Sequence, residues 1–224
     1  MAEFDLFATN YQELLDRNVR ITGDTSDYFA AYKAAYIARK LALTSGKLLD
    51  YGCGVGLLSR HLKRRMPGMR IDGFDVSQDS LDKVDKNLLS QGVFTSNPDA
   101  VGRSYDVIVF ANVLHHVRPE ARQGLILEAG SRLADGGKLA VFEHNPINPL
   151  TRWVVSQCPF DEDVILLPAR ETLGYFSRGG FRLLGQDYIV FFPRWLAWFR
   201  PLEPFLNWCP AGAQYAVVAS KLPG

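Results

Sequence analysis

Lys47-Leu48-Leu49-Asp50-Tyr51-Gly52-Cys53-Gly54-Val55-Gly56-Leu57-Leu58 is the stretch that decides the fold. It opens with a short apolar run, the mark of a buried parallel strand. The run stops at a turn with glycine at every second position. Leu57, Leu58 and Leu62 then restart apolar spacing with a helical period. Strand, glycine turn and helix together make the nucleotide-binding unit of an α/β fold. Glycine lacks a Cβ, so the backbone turns sharply and lets a ligand approach closely. The N–H groups at the start of the helix face outward with partial positive charge.

The ligand can be narrowed from its neighbours. A dinucleotide site reads G-x-G-x-x-G and sets a pyrophosphate on the helix N-terminus. Here the glycines are Gly52, Gly54 and Gly56, and Asp50 stands just before the turn. A carboxylate there repels a pyrophosphate and suits an ammonium group. The next strand, Met69-Arg70-Ile71-Asp72-Gly73-Phe74-Asp75, ends in a second carboxylate. An acidic residue roughly 20 positions after the glycines accepts hydrogen bonds from ribose hydroxyls. A ligand with a ribose and an amino-acid ammonium, and no phosphate, is S-adenosyl-L-methionine.

A third motif follows, Tyr105-Asp106-Val107-Ile108-Val109-Phe110-Ala111-Asn112-Val113-Leu114-His115-His116-Val117. With the glycine turn and the strand ending at Asp75, it resembles the class I (Rossmann-like) S-adenosylmethionine-dependent methyltransferases, in the family's order and spacing. The specific signal covers about residues 47–145. The resemblance implies an α/β, Rossmann-like doubly wound sheet of seven strands, the last antiparallel. It implies cofactor contacts at Asp50, Gly52, Cys53, Gly54, Asp75 and Val76. It puts Ala111 and Asn112 beneath the methionine end, and adenine contacts just past the short strand Val93–Ser96. There Asn97 or Asp99 accepts from the exocyclic amine, or else serves only the turn.

Composition bounds the rest. A chain of 224 residues fits one α/β domain with additions: an N-terminal helical cover (1–45), a cofactor-binding core (46–145) and an acceptor-side half (146–224). Apolar residues make up 47% and charged residues 22%, enough for a full core. The net charge is +1 with no lysine-rich run, which speaks against a nucleic-acid partner. No run of 18 apolar residues exists, so no transmembrane segment is expected. Met1-Ala2-Glu3-Phe4-Asp5 does not read as a signal peptide. Cys53, Cys158 and Cys209 are widely spaced and odd in number, reading as reduced cytoplasmic thiols without zinc spacing.

Along the chain, residues 4–20 read as a helix with Phe4, Phe7, Tyr11, Leu14 and Leu15 on one face. Ser26 reads as the N-cap of a second helix running from Asp27 to about Leu43. Its Tyr28, Phe29, Tyr32 and Tyr36 are core, or else Tyr28, Tyr32 and Lys33 form a lid over the cofactor, as the segment before the first strand does in the resembling enzymes. Ser77 caps a helix from Gln78 to about Ser90, with Leu81, Val84 and Leu88 inward. Pro119 opens a helix that runs from Glu120 to Leu133. Further strands fall at 138–142, 181–192 and 214–221, with a helix near 169–177 before Gly179-Gly180.

The chemistry should project from the carboxyl ends of the fourth and fifth strands, where ligands bind in open α/β sheets. His115, His116, Glu143 and His144 are the candidate catalytic residues there. The alternatives are that His115 or His116 holds its loop, and that Glu143 pairs with Arg152 or caps a helix. A metal centre is not expected, because no ligand pair has helical metal spacing. The stretch 192–208 is an insertion with three tryptophans, three phenylalanines, two arginines and one glutamate. Prolines at 193, 201 and 204 keep any helix there short. So many aromatics should be covered: by an apolar acceptor pocket, a partner subunit or a membrane surface.

The resulting expectation is S-adenosyl-L-methionine-dependent methylation of a small apolar or aromatic molecule by a cytoplasmic monomer or homodimer, with peripheral membrane contact left open. The alternative is a catalytically inactive scaffold or sensor that only binds the cofactor.

Overall fold

A computed structural model describes residues 16–17, 19–158 and 164–222. The expected helix over 4–20 falls almost wholly outside them. Among the described residues, seven strands form one sheet: β1 (Ser45–Tyr51), β2 (Gly68–Phe74), β3 (Phe94–Thr95), β4 (Tyr105–Ala111), β5 (Leu133–His144), β6 (Phe181–Ile189) and β7 (Gln214–Lys221). Their order is β3-β2-β1-β4-β5-β7-β6. β1 through β5 pair in parallel, and β7 runs antiparallel to both β5 and β6. The strand count and the antiparallel last strand agree with the expectation.

Strand residues alternate between two apolar layers, as a pleated sheet covered on both faces requires. One face carries Leu48, Val107, Val109, Ala140, Phe142, Ala216 and Val218. It is covered by α1 (Ser26–Leu41) through Ala34, Tyr36 and Ile37, and by α2 (Leu57–Arg65) through Leu58 and Leu62. The other face carries Leu49, Ile108, Phe110, Leu139, Val141 and Val217. It packs under Ile126 and Ala129 of α5 (Pro119–Arg132) and Tyr175 and Phe176 of α7 (Ala169–Arg178).

Local differences have physical causes. The expected helix over 78–90 is two short ones, α3 (Gln78–Leu81) and α4 (Lys86–Leu89). Ser77 does cap the first by accepting from the Ser80 N–H. Asp85 then accepts from the Asn87 N–H and restarts the chain as a second cap, which competes with helix continuation. Leu81, Val84 and Leu88 still point inward. The N-cap of α1 is Thr25 and not Ser26, whose N–H donates to Asp16 Oδ1. An additional helix, α6 (Pro149–Ser156), starts where Asn148 accepts from the Thr151 N–H and Pro149 opens the first turn.

Between β6 and β7 the chain makes 3₁₀ turns over Arg194–Phe205, with Leu196 non-helical. This segment is tied to the start of α1. Arg200 pairs with Asp24 and lies 4.1 Å over the Tyr28 ring, and Glu203 accepts from the Phe191 and Phe192 N–H groups. Asp187 adds a second tie, accepting from Tyr36, Lys40 and Asn207. Within the chain itself the insertion's large rings are not covered. Trp195, Trp198, Phe205 and Trp208 are 71–75% exposed, because the segment turns its polar residues inward.

Candidate functional site

The parallel strands all end at one rim, and the predicted residues gather there. β1 delivers Asp50, which is 1% exposed and accepts from the Ser59 hydroxyl at 2.7 Å. Burial pushes the Asp50 carboxyl up to about 6, aided by the nearby Asp75 charge and opposed by Ser59 and Lys33. Lys33 of α1 is also buried. Burial brings its ammonium down to about 8, against the pull of Glu143 and Asp50. Lys33 therefore faces the rim from above the sheet, among the carboxylates of β1 and β5.

The glycine turn folds for the reason its sequence suggests. Gly52, Gly54 and Gly56 have φ of 79°, 52° and 75°, all in the left-handed region that side chains resist. A Cβ on Gly52 would lie 2.5 Å from Val113 Cγ2. The Gly52 and Cys53 N–H groups donate to the Phe74 carbonyl, pinning the turn to the end of β2. Burial raises the Cys53 thiol, which marks it as an inert packing group. Asp75 follows β2: one carboxylate oxygen accepts from the Gly54 N–H at 2.7 Å, the other from the Ser77 N–H at 2.9 Å. These bonds orient the Asp75 carboxylate at the end of β2. Val76 beside it is exposed. Asn97 caps the turn Pro98–Ala100 by accepting from the Asp99 N–H.

β4 ends at Ala111, and Asn112 leaves the strand with φ of 60°. Its N–H donates to the Phe142 carbonyl, while Asn112 Oδ1 is buried with no hydrogen-bond partner among the described residues. A buried acceptor left unmatched is costly and waits for a donor. Asp50, Asn112 Oδ1 and Asp75 thus offer acceptors around a Cβ-free turn. That set suits a ligand bearing an ammonium and vicinal hydroxyls.

The four predicted catalytic residues meet at the ends of β4 and β5. Glu143 is fully buried. One oxygen accepts from the Val113 and Leu114 N–H groups at 3.0 and 2.6 Å, and the other pairs with His115 Nδ1 at 2.5 Å. Burial alone would raise its carboxyl, but His115, His144 and the Leu114 N–H outweigh this and hold it below the usual range. Glu143 therefore caps the turn Leu114–His116 and fixes the His115 ring. His115 is 2% exposed, His116 is exposed and His144 is half-buried. Ring centres lie 4.2 Å apart for His115 and His116, and 5.1 Å apart for His115 and His144. Among the described residues no group of three His, Cys, Asp or Glu side chains is placed to hold a metal ion. Tyr28 is half-buried under Arg200.

Two supports escaped the motif reading. Ser59 on α2 orients Asp50. Arg122, fully buried, donates to the Val117 and Ile165 carbonyls and pairs with Glu171, so it clamps the loop behind His115. Its signal lay in the helix period: Arg122, Ile126 and Ala129 share one face, and an arginine in an apolar stripe needs buried partners.

Residues 25–185 match the family model described as a methyltransferase domain. The chain belongs to the class I S-adenosylmethionine-dependent methyltransferases. Curated relatives of this methyltransferase include ribosomal RNA small subunit methyltransferase C of Pseudomonas aeruginosa, 32% identical over 114 residues. That match takes in 47% of this chain and 34% of the relative. The same enzyme of an Enterobacter species is 36% identical over 107 residues, 44% of this chain and 31% of the relative. The chain thus spans about a third of the length of these relatives. Among solved structures, magnesium protoporphyrin IX methyltransferase from Synechocystis, with bound S-adenosylhomocysteine, superposes with a TM-score of 0.68. It is 14% identical, covering 97% of this chain and 96% of that one. An O-methyltransferase family protein from Burkholderia thailandensis gives 0.65 at 15% identity, covering 98% and 60%. At such identities these likenesses speak to the fold of the methyltransferase.

Proposed function

We propose that the protein transfers a methyl group from S-adenosylmethionine to a small apolar or aromatic acceptor. When bound, S-adenosylmethionine supplies an electrophilic methyl on a sulfonium. Asp75 would take the ribose hydroxyls, with Val76 and Asn97 beside the adenine. Asp50, with Ala111 and the unmatched Asn112 Oδ1, would take the ammonium end, and the turn through Gly52, Cys53 and Gly54 leaves room for the chain between. Tyr28 and Lys33 close the rim from α1 and keep water out.

Methyl transfer is an in-line displacement, so the protein's main task is alignment in a dry site. Where the acceptor must lose a proton, His144 is the best-placed base. It is half-buried at the rim, its ring centre 5.1 Å from that of a His115 that Glu143 holds in place. Glu143 itself already serves three donors and has no surface, which suits a positioning residue. His116 is the exposed alternative.

The observation that carries the small-molecule reading is the acceptor side of the rim. We place the half-buried Tyr28 and Tyr32 of α1 there, in a chain of net charge +1. Such walls suit an apolar or aromatic ligand, while nucleic acid calls for a basic face. The solved relatives that align over nearly the whole chain include a porphyrin methyltransferase and an O-methyltransferase, in line with this reading. The ribosomal RNA relatives favour a second one, but they align over less than half of the chain.

Incubation with methyl-labelled S-adenosylmethionine and, in separate arms, a small-molecule cell extract or small ribosomal subunits decides between them. Label in an organic-extractable product with release of S-adenosylhomocysteine supports the proposal. Label in RNA alone would replace it with the second reading. Cofactor binding without turnover on any acceptor would make the protein a sensor.

A further inference from the structure

The segment between β6 and β7 is folded inside out for a protein in water. Its one carboxylate, Glu203, is 4% exposed and bonded to the Phe191 and Phe192 N–H groups. Arg200 is held by Asp24 and the Phe192 carbonyl. Meanwhile Trp195, Trp198, Phe205 and Trp208 stand 71%, 75%, 75% and 74% exposed. The inward polar ties fix the backbone, so the rings cannot fold back onto the core. Scattered exposed apolar residues are ordinary, but four large aromatics within fourteen positions mark a contact surface.

Charge says which contact. From 188 to 213 the only acidic residue is the buried Glu203, and Arg194 is exposed. Arg194 packs on Gly23, the residue that ends the turn Arg20–Thr22. The turn that Gly23 closes on the Arg20 carbonyl carries the exposed Arg20, and Arg17, also exposed, precedes it. The neighbouring acids are engaged: Asp16 accepts from the Ser26 N–H and Asp24 is buried against Arg200. Tryptophan-rich apolar rings edged by arginines, with no exposed carboxylate in the stretch 188–213, match the headgroup layer of an anionic bilayer, where indoles favour the interface and cations meet lipid phosphate. The segment leaves β6 at Ile189 and enters β7 at Gln214, the residue paired with His144, so this surface borders the catalytic rim.

We propose that this face docks the protein peripherally on an anionic lipid surface. No helix among the described residues is long and apolar enough to cross a membrane, and none is needed. The inference does not depend on which acceptor is methylated.

The test is co-sedimentation of the full chain with vesicles of phosphatidylcholine alone, or with about 30% phosphatidylserine, while tryptophan emission is followed. Binding to the anionic vesicles with a blue shift, weakened by salt, is expected. Replacing Trp195, Trp198, Phe205 and Trp208 by Ser should lower that binding by about tenfold or more, since affinity scales with buried apolar area. These positions are exposed, so the circular dichroism spectrum should not change. Arg20→Glu with Arg194→Glu should weaken anionic binding and leave any neutral binding alone. Three outcomes overturn the proposal. One is no binding to either vesicle. Another is binding that survives the serine variant. The third is a dimer in light scattering, lost in the serine variant, without vesicle binding, which would make the face a contact between two copies of the chain.

Discussion

Replacing Glu143 by Ala tests whether this carboxylate organises the rim. It accepts from two backbone N–H groups and from His115, all buried. Stranding a buried donor costs about 1–3 kcal/mol, and breaking a buried ion pair costs about 3–5 kcal/mol in total. Glu143→Ala should therefore destabilise the fold by about 4–6 kcal/mol. At roughly 2–4 °C per kcal/mol for a chain of this size, Tm should fall by about 10–20 °C. Glu143→Gln keeps an oxygen for Val113 and Leu114 and loses only the charge-assisted bond to His115, about 1.5–3 kcal/mol. Its Tm should fall far less, while kcat drops because the His115 ring is no longer held by a carboxylate. Differential scanning calorimetry of the three proteins, with cofactor affinity measured in parallel, gives the answer. A Glu143→Ala protein with wild-type Tm would refute the role of Glu143 as holder of the Val113–His115 loop.

Three further predictions concern the cofactor side. Asp75→Ala should weaken S-adenosylmethionine binding by about two orders of magnitude, since two charge-assisted bonds of about 1.5–3 kcal/mol each are lost; calorimetry showing unchanged affinity would sink the ribose assignment. Gly52→Val puts a branched side chain at φ 79° and within reach of Val113, so binding should be abolished while circular dichroism still reports a folded protein. Asp50 has its folded pKa raised to about 6 from 3.8, so its share of stability is full below the unfolded value and is lost as pH rises through about 6. Asp50→Asn should therefore stabilise the unliganded protein near pH 7 by up to about 3 kcal/mol. In the wild type, cofactor affinity should decline below about pH 6 as the carboxylate protonates, and in the variant it should be weak and flat; an unchanged wild-type profile across that range would count against the ammonium contact.

The sequence revealed the cofactor half more fully than the acceptor half, and for a physical reason. The turn at Gly52–Gly56 and the strand-end Asp75 are local solutions to backbone problems, so spacing alone displays them. The meeting of His115, Glu143 and His144 was legible from their places at two strand ends. That Glu143 holds the loop, while His144 faces the rim, depends on which side of β5 each residue takes. The start of α6 was readable from Asn148-Pro149, and Arg122 from its place in an apolar stripe. The insertion's role stayed open in the sequence because composition counts its aromatics but not their direction. Only the long-range ties Arg200–Asp24 and Glu203 to Phe191 and Phe192 decide that the rings point outward.

The central claim is that the rim built by Asp50, Asp75 and Asn112 seats S-adenosylmethionine with its sulfur toward the histidines. A crystal structure with S-adenosylhomocysteine tests it most directly. The ribose hydroxyls should lie on Asp75, the ammonium against Asn112 Oδ1 beside Asp50, and the sulfur should face His144 across an open gap. A ligand seated elsewhere, or one whose sulfur points away from the ends of β4 and β5, would contradict it.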